Sequence, residues 1–170
     1  MPEAAGYATT DLYDACEHDD GAAVQVLEPG LLGDYGGRAR FHGEVVTLQT
    51  FADNSMVREL LACPGEGRVL VVHGGDSLHY ALLGDMLATL GMNNGWSGAV
   101  IWGSVRDTEV LATLEFGVKA RAASPRRSPK RGLGSRDVEL HFGGVSFRPG
   151  AHLYADRDGL LLSPRPLHAA

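Results

Sequence analysis

Three side chains near the middle of the chain have types suited to chemistry: Asp85, Arg106 and Asp107, in the stretch GDMLATLGMNNGWSGAVIWGSVRDTE from Gly84 to Glu109. If they share one volume, two carboxylates, with Glu109 as a nearby third, set against one guanidinium leave an excess of negative charge. A divalent cation relieves that excess. Oxygen ligands suit Mg2+ or Mn2+, and Mg2+ is commonly held by one or two carboxylates, with water and substrate oxygens completing its octahedron. A helix starting at Asp85 leaves the backbone N–H groups of Met86 and Leu87 without intrahelical partners, a ready receptor for a carboxylate ligand. The planar fork of Arg106 suits the same anion.

Whether these residues meet depends on the elements that carry them. Apolar residues at Met86, Leu87 and Leu90 follow helical spacing from Leu83, and Asn93–Asn94–Gly95 ends that run. GAVIWGSV after it has the unbroken apolar character of a strand buried on both faces. A helix and the strand that returns from it run in opposite directions. The helix rises roughly 14 Å at 1.5 Å per residue, and Ala99 to Val105 spans roughly 23 Å at 3.3 Å per residue. The strand is long enough to bring Arg106 and Asp107 level with Asp85. The residues alone also admit a plainer reading, in which each aspartate caps the helix that follows it and Arg106 makes a surface ion pair.

The remaining elements alternate along the first two thirds of the chain. TTDLYDACEHDDG predicts a short helix over about 9–16 with Thr9 or Thr10 as cap, closed by the polar run from Glu17 to Gly21. RARFHGEVVTLQT predicts two short strands or one bulged strand around Gly43. DNSMVRELLACPG predicts a helix capped by Asp53 or Asn54, with Met56, Val57, Leu60 and Leu61 on its buried face and Pro64–Gly65 as the stop. RVLVVHGG reads as a buried strand leaving through a tight turn, SLHYALL as short helix or extended chain, and Val110, Leu111 and Leu114 as the start of another helical face. From Asp137 on, short apolar runs alternate with Gly-Gly, Pro-Gly and Asp-Gly turn signals, the pattern of a strand meander.

At 170 residues, 44% hydrophobic and 21% charged, the chain is expected to form one domain over 1–170 with a C-terminal tail over about 165–170. Its formal charge of −6 argues against nucleic acid or anionic membrane as a partner. The start MPEAAGYATT lacks the basic and apolar segments of a secretion signal, and no run reaches the length of a membrane span, so a cytoplasmic setting is expected. Cys16 and Cys63 form no CxxC pattern and read as packing residues, and Trp96 and Trp102 as core or subunit-contact residues. The basic stretch RAASPRRSPKRG reads as a solvated surface loop or as a phosphate or RNA contact. His73, His79, His141 and His152 show no metal-ligand spacing, although His73 beside Gly74–Gly75 is a candidate pocket residue. Gly74, Gly75 and Ser77 read as a tight turn or an anion cradle.

The spacing from Asp85 to Arg106–Asp107, together with YGGRARFHGEVVTLQTFADN from Tyr35 and GGVSFRPGAHLYADRDG from Gly143, resembles the family of the regulator of ribonuclease activity A and the class II 4-hydroxy-4-methyl-2-oxoglutarate aldolases. The blocks fall in order over about Tyr35 to Pro164. The resemblance implies an α/β fold, a layered swivelling β/β/α-type single domain with a C-terminal β meander. For the aldolase branch it implies that Asp107 binds a divalent metal and Arg106 the pyruvyl group. Gly84, Asp85, Met86 and Leu87 hold the substrate carboxylate in that reading, with Asp85 orienting a water at the metal. The implied reactions are retro-aldol cleavage of a 2-oxo acid and oxaloacetate decarboxylation, both releasing pyruvate without a Schiff-base lysine. Homotrimers, singly or paired as hexamers, are also implied. The other branch implies a protein that binds and restrains a ribonuclease E-type enzyme. This chain keeps the aspartate after the arginine, which the regulator branch can lose, and carries Val110 where the aldolase pattern usually places an acid.

Overall fold

The computed structural model describes residues 6–167. In chain order the elements are α1 (Thr9–Cys16), β1 (Gln25–Val26), β2 (Gly33–Asp34), β3 (Phe41–Gln49), α2 (Ser55–Leu61), β4 (Val69–His73), β5 (Ala81–Leu83), α3 (Asp85–Asn93), β6 (Gly98–Val105), α4 (Thr108–Leu111), β7 (Gly117–Ala123), β8 (Ser135–Arg136), β9 (Leu140–Phe142), β10 (Val145–Phe147), β11 (His152–Asp156) and β12 (Gly159–Ser163). The main sheet runs β1-β12-β11-β3-β4-β6-β7-β2, with β5 beside β6 and β8 beside β3. Strands β3, β4, β6 and β7 pair in parallel, while β11, β12 and β1 continue the sheet antiparallel.

Alternation along the central strands explains the layers. Val46, Leu48, Leu70, Val72, Ala99 and Ile101 face one cluster, where Val57, Leu60 and Leu61 of α2, Ala88 of α3 and Leu111 of α4 cover them. Val45, Val69, Val71 and Val100, one residue out of step, face the other, closed by Leu140, Phe142, Val145 and Phe147 of the β9–β10 hairpin and by Leu153, Ala155, Leu160 and Leu162. Both faces of these strands are therefore dry, which is why they read as unbroken apolar runs. The result is helices, sheet and hairpin in three layers, the expected layered α/β arrangement. The C-terminal meander resolves into two hairpins, β9–β10 in a sheet of its own and β11–β12 in the main sheet.

RARFHGEVVTLQT forms one nine-residue strand, and Gly43 lies where β3 passes so close to the Gly67 carbonyl that a Cβ would collide with it. SLHYALL resolves as extended chain ending in β5. Met86 leaves the expected apolar face of α3 and is 74% exposed; Ala88 and Gly91 are buried instead. Cys63 is exposed, and its thiol donates to the Glu59 carbonyl, so it is no packing residue. Trp96 is buried, with its indole N–H on the Cys63 carbonyl at 2.9 Å. Trp102 is half-buried, stacked between Arg121 and Phe142. Of the expected C-terminal tail, residues 168–170 lie outside the described residues, while Leu167 donates its N–H to the Tyr154 hydroxyl. Among the described residues no helix is long and apolar enough to cross a membrane.

The start of α1 is fixed from a distance rather than by a local cap. Its N-cap position is Ala8, and neither threonine hydroxyl caps the helix. The buried carboxylate of Asp156, at the end of β11, accepts the Thr9 N–H at 2.8 Å, the Thr9 hydroxyl at 2.7 Å and the Asp158 N–H at 2.9 Å. Burial pushes the Asp156 carboxyl up, but the donors from Thr9, Asp158 and Gly159 outweigh it and hold the group below its ordinary value. A depressed carboxylate adds stability that is present above the unfolded value, near pH 4, and lost as pH falls through the folded one. Asp156→Asn is therefore expected to lower the unfolding free energy by about 1.5–3 kcal/mol at neutral pH, the worth of hydrogen bonds to a charged group. That deficit should narrow below about pH 4, as read by urea unfolding of both proteins across the range.

Candidate active site

Four parallel strands end on the same side of the sheet, and the segments leaving them build one cavity of about 100 Å³. Asn54 and Arg58 follow β3; Gly84, Asp85, Met86 and Leu87 follow β5; Arg106 and Asp107 follow β6; Arg127, Ser128 and Lys130 follow β7. The carboxyl edge of a parallel sheet is where ligands bind in open α/β folds. Backbone bonds hold the ends level: Arg106 N–H reaches the Leu83 carbonyl at 2.9 Å, Ser124 N–H the Val105 carbonyl at 2.9 Å, and Ala81 N–H the Arg126 carbonyl at 2.8 Å. Asp85, Arg106 and Asp107 thus come together as their spacing predicts.

Asp107 occupies the N-cap position of α4 but does not cap it. Its backbone is left-handed, φ 55° and ψ 43°, and its side chain makes no capping hydrogen bond. The carboxylate turns back instead: Oδ2 lies 3.5 Å from the Asp85 backbone N–H and 3.5 Å from Arg106 Nε. Left-handed backbone costs a residue with a Cβ roughly 1–2 kcal/mol, although Asp tolerates it better than most. Gly84 makes room for this arrangement, since a Cβ there would lie 2.7 Å from Asp107 Oδ2 and 3.2 Å from Arg106 Cγ. Asp85 occupies the first helical position of α3, after Gly84 as N-cap, and its Oδ1 accepts the Met86 N–H at 2.8 Å. The Met86 donor is consequently engaged within the protein.

The charge of the lining differs from what the three central residues suggested. Arg58, Arg106, Arg127 and Lys130 stand against Asp85 and Asp107, four cations to two carboxylates. Spacing along the sequence does not reveal Arg127 and Lys130, because the loop enters the site through the pairing of Ala81 with Arg127. The segment RAASPRRSPKRG is therefore not simply solvated: Ser128 is buried, and its hydroxyl accepts the Asn54 N–H at 3.1 Å. Asn54 is also on the lining, and its Oδ1 is a buried polar atom without a hydrogen-bond partner among the described residues.

Other candidates lie elsewhere. Glu109 is not on the lining. His73 is turned away, its Nδ1 accepting the Gly75 N–H at 3.0 Å and its ring meeting Phe142 edge-on. Burial pushes His73 below its ordinary value, with Asp76 opposing and Arg121 adding to the shift. Gly75, at φ 80°, serves a tight turn, in which Ser77 Oγ accepts the His79 N–H at 3.3 Å. Among the described residues no cluster of three or more His, Cys, Asp and Glu side chains forms a cation cage.

Comparison with known proteins follows the same outline. The family model described as RraA-like, Aldolase/RraA, matches residues 9–162. A protein of Halorhodospira halophila named "Putative 4-hydroxy-4-methyl-2-oxoglutarate aldolase" is 55% identical over 159 residues, 94% of this chain and 96% of that one. A solved structure described as the RNA-processing inhibitor RraA from Thermus thermophilis is 46% identical with a TM-score of 0.88, covering 95% of this chain and 94% of that one. Another, described as an S-adenosylmethionine: 2-dimethylmenaquinone methyltransferase from Geobacillus kaustophilus, is 40% identical with a TM-score of 0.89, covering 95% and 97%.

The unused capping position of Asp107 has a measurable consequence. If its carboxylate serves a ligand rather than the fold, Asp107→Gly relieves the left-handed backbone while gaining chain entropy when unfolded, two effects of about 1 kcal/mol and opposite sign. The variant is expected to unfold within about 1 kcal/mol of the parent protein in urea titration. A loss of more than about 2 kcal/mol would make Asp107 a structural residue.

Proposed function

Because the chain belongs to the RraA-like family, we propose that it is a divalent-metal-dependent lyase of 2-oxo acids. It cleaves 4-hydroxy-4-methyl-2-oxoglutarate-type substrates by a retro-aldol reaction and decarboxylates oxaloacetate, releasing pyruvate from each. The observation that carries this reading is Asp107, held in left-handed backbone with its carboxylate withdrawn from helix capping and set beside Arg106 on a charged cavity. Strained backbone of this kind gathers at functional sites. The cavity, about 100 Å³, suits a small acid; sites for larger organic ligands commonly reach about 300–1,000 Å³.

The donor set fits a hard cation such as Mg2+ or Mn2+, which needs only one or two protein carboxylates beside water and substrate oxygens. Asp107 would hold it, with Asp85 near, and when bound there it would supply Lewis acidity toward a carbonyl oxygen. Arg106 binds the 2-oxo acid through its planar fork and stabilises charge developing on the enolate oxygen. In the first turn of α3, Gly84 to Leu87, the Met86 N–H is held by Asp85, so the Leu87 N–H is the donor that receives the substrate carboxylate at the positive end of the helix. Asp85 takes the proton from the C4 hydroxyl as the C3–C4 bond breaks, and a proton returned to C3 completes pyruvate.

A second reading is favoured by the Thermus neighbour described as an RNA-processing inhibitor: a cytoplasmic protein that binds a ribonuclease E-type enzyme. The two readings separate on turnover. Pyruvate release from both substrates is expected with Mg2+, to be lost on chelation, and to be abolished in Asp107→Asn, which removes the charge at nearly constant volume. Full activity of Asp107→Asn would remove it from the metal site, and no release under any condition would favour the regulator.

A single repeated contact closing a ring of three is the assembly that goes with this reading, alone or paired as a hexamer. Met86, Phe51, Leu133 and Val110, at 74%, 60%, 49% and 44% exposed, are apolar surface for a neighbouring copy to cover. Light scattering is expected to give a trimer or hexamer whose specific activity falls on dilution. An active monomer would overturn both the trimer and a site near its boundary.

A further inference from the structure

Two walls of the cavity are joined by a carboxylate that does not line it. Asn54 and Arg58, on the β3–α2 connection and on α2, belong to one wall, and Arg127, Ser128 and Lys130, on the loop after β7, belong to another. Asp53 precedes Asn54, is fully buried and is not on the lining. Its two oxygens serve the two walls separately. Oδ1 accepts the Ser55 N–H at 2.8 Å and the Ser55 hydroxyl at 2.6 Å, at the start of α2. Oδ2 accepts the Arg131 N–H at 2.6 Å and the Leu133 N–H at 3.4 Å, in the loop.

Further bonds cross the same seam. The Ser55 hydroxyl accepts the Gly132 N–H at 3.1 Å, and the Ser128 hydroxyl accepts the Asn54 N–H at 3.1 Å. The Thr50 hydroxyl lies 2.9 Å from the Asp53 carbonyl and 3.1 Å from that of Leu133. Between exposed Phe51 and buried Asp53 the chain takes left-handed backbone at buried Ala52, φ 48°. A residue with a Cβ avoids that conformation, which persists only where the surroundings demand it. The cations Arg126, Arg127, Lys130 and Arg131 repel one another, so with the pairing of Ala81 these bonds are what hold the loop.

Resting on the lyase reading above, we infer that Asp53 is a positioning residue for substrate binding: by bracketing the β3–α2 connection and the loop after β7, it sets the two walls in place before the substrate arrives. A wall fixed in advance loses less entropy when a ligand binds. Because such a wall favours the bound substrate and its transition state alike, loosening it raises KM and leaves kcat. The bracket needs a carboxylate, since four donors converge on its two oxygens. An asparagine amide offers one acceptor oxygen, and its NH2 group faces N–H donors on whichever wall it turns toward.

Asp53→Asn is expected to raise KM for oxaloacetate about tenfold with kcat held within about twofold, and to weaken calorimetric binding of pyruvate with Mg2+ to the same degree. Hydrogen exchange should show protection of residues 131–133 falling about tenfold while β4 and β6 keep theirs, which separates a freed loop from an unfolded protein. Ser55→Ala keeps the carboxylate but removes the hydroxyl that holds Gly132, and is expected to raise KM about threefold. Asp156→Asn removes another buried, multiply bonded carboxylate, the one that holds α1, and should leave both KM and the exchange of residues 131–133 intact. An unchanged KM in Asp53→Asn, or equal rises in Asp53→Asn and Asp156→Asn, would overturn the positioning role. Pyruvate binding that Asp53→Asn weakens, without cleavage of either substrate by the parent protein, would overturn the lyase reading and keep the positioning role; neither binding nor cleavage would overturn both.

Discussion

The parallel register of β5, β6 and β7 is the constraint from which the site follows. Leu83 pairs with Val105 and Val105 with Ala123, so three strands stop at one level. Burial on both faces leaves their connecting segments only the ends of the sheet, and the helices α2, α3 and α4 all return across one face. The segments that leave β5, β6 and β7 therefore pass the same point. Residues as far apart as Asn54 and Lys130 become neighbours through strand register, before any side chain contributes.

Two buried carboxylates then do work that no local motif supplies. Asp156 fixes the start of α1 to the end of β11, and Asp53 joins the start of α2 to the backbone of residues 131–133. For Asp53, burial raises the carboxyl while the donors of Ser55, Arg131 and Leu133 outweigh it and hold the group below its ordinary value. A buried charge is tolerable only when its lone pairs are met by donors. In meeting that condition, Asp53 sets the position of a basic loop that has little apolar surface of its own.

The parts of this design that depend on period and chain direction were legible in the sequence. Apolar runs identified β4 and β6, capping and stop residues identified α2, and the arithmetic of helix and strand length brought Asp85 to Arg106 and Asp107. Contacts between segments distant in sequence were not legible. Thr9 looks like a cap until Asp156 is seen to hold it, and Met86 fits the helical period although its face of α3 looks outward. RAASPRRSPKRG has the composition of a solvated loop. Only the pairing of Ala81 with Arg127 and the bonds to Asp53 put two of its cations on the cavity. The charge of the site was accordingly misjudged from Asp85, Arg106 and Asp107 alone.

Gly84 and Asp107 show how closely the two sides of the cavity depend on each other. The carboxylate of Asp107 can turn toward the Asp85 N–H only because residue 84 has no Cβ, and the turn itself exists only because residue 107 adopts left-handed backbone. Gly84 has φ −135°, which any residue can adopt, so its small size rather than its flexibility is what the site uses. At Asp107 the reverse holds: the conformation would suit glycine better, and the side chain is kept despite it. A fold selected for stability alone would exchange these preferences. That it places a bare backbone where the dihedrals would suit any residue, and a carboxylate where they would suit glycine, locates the requirement in the cavity between them.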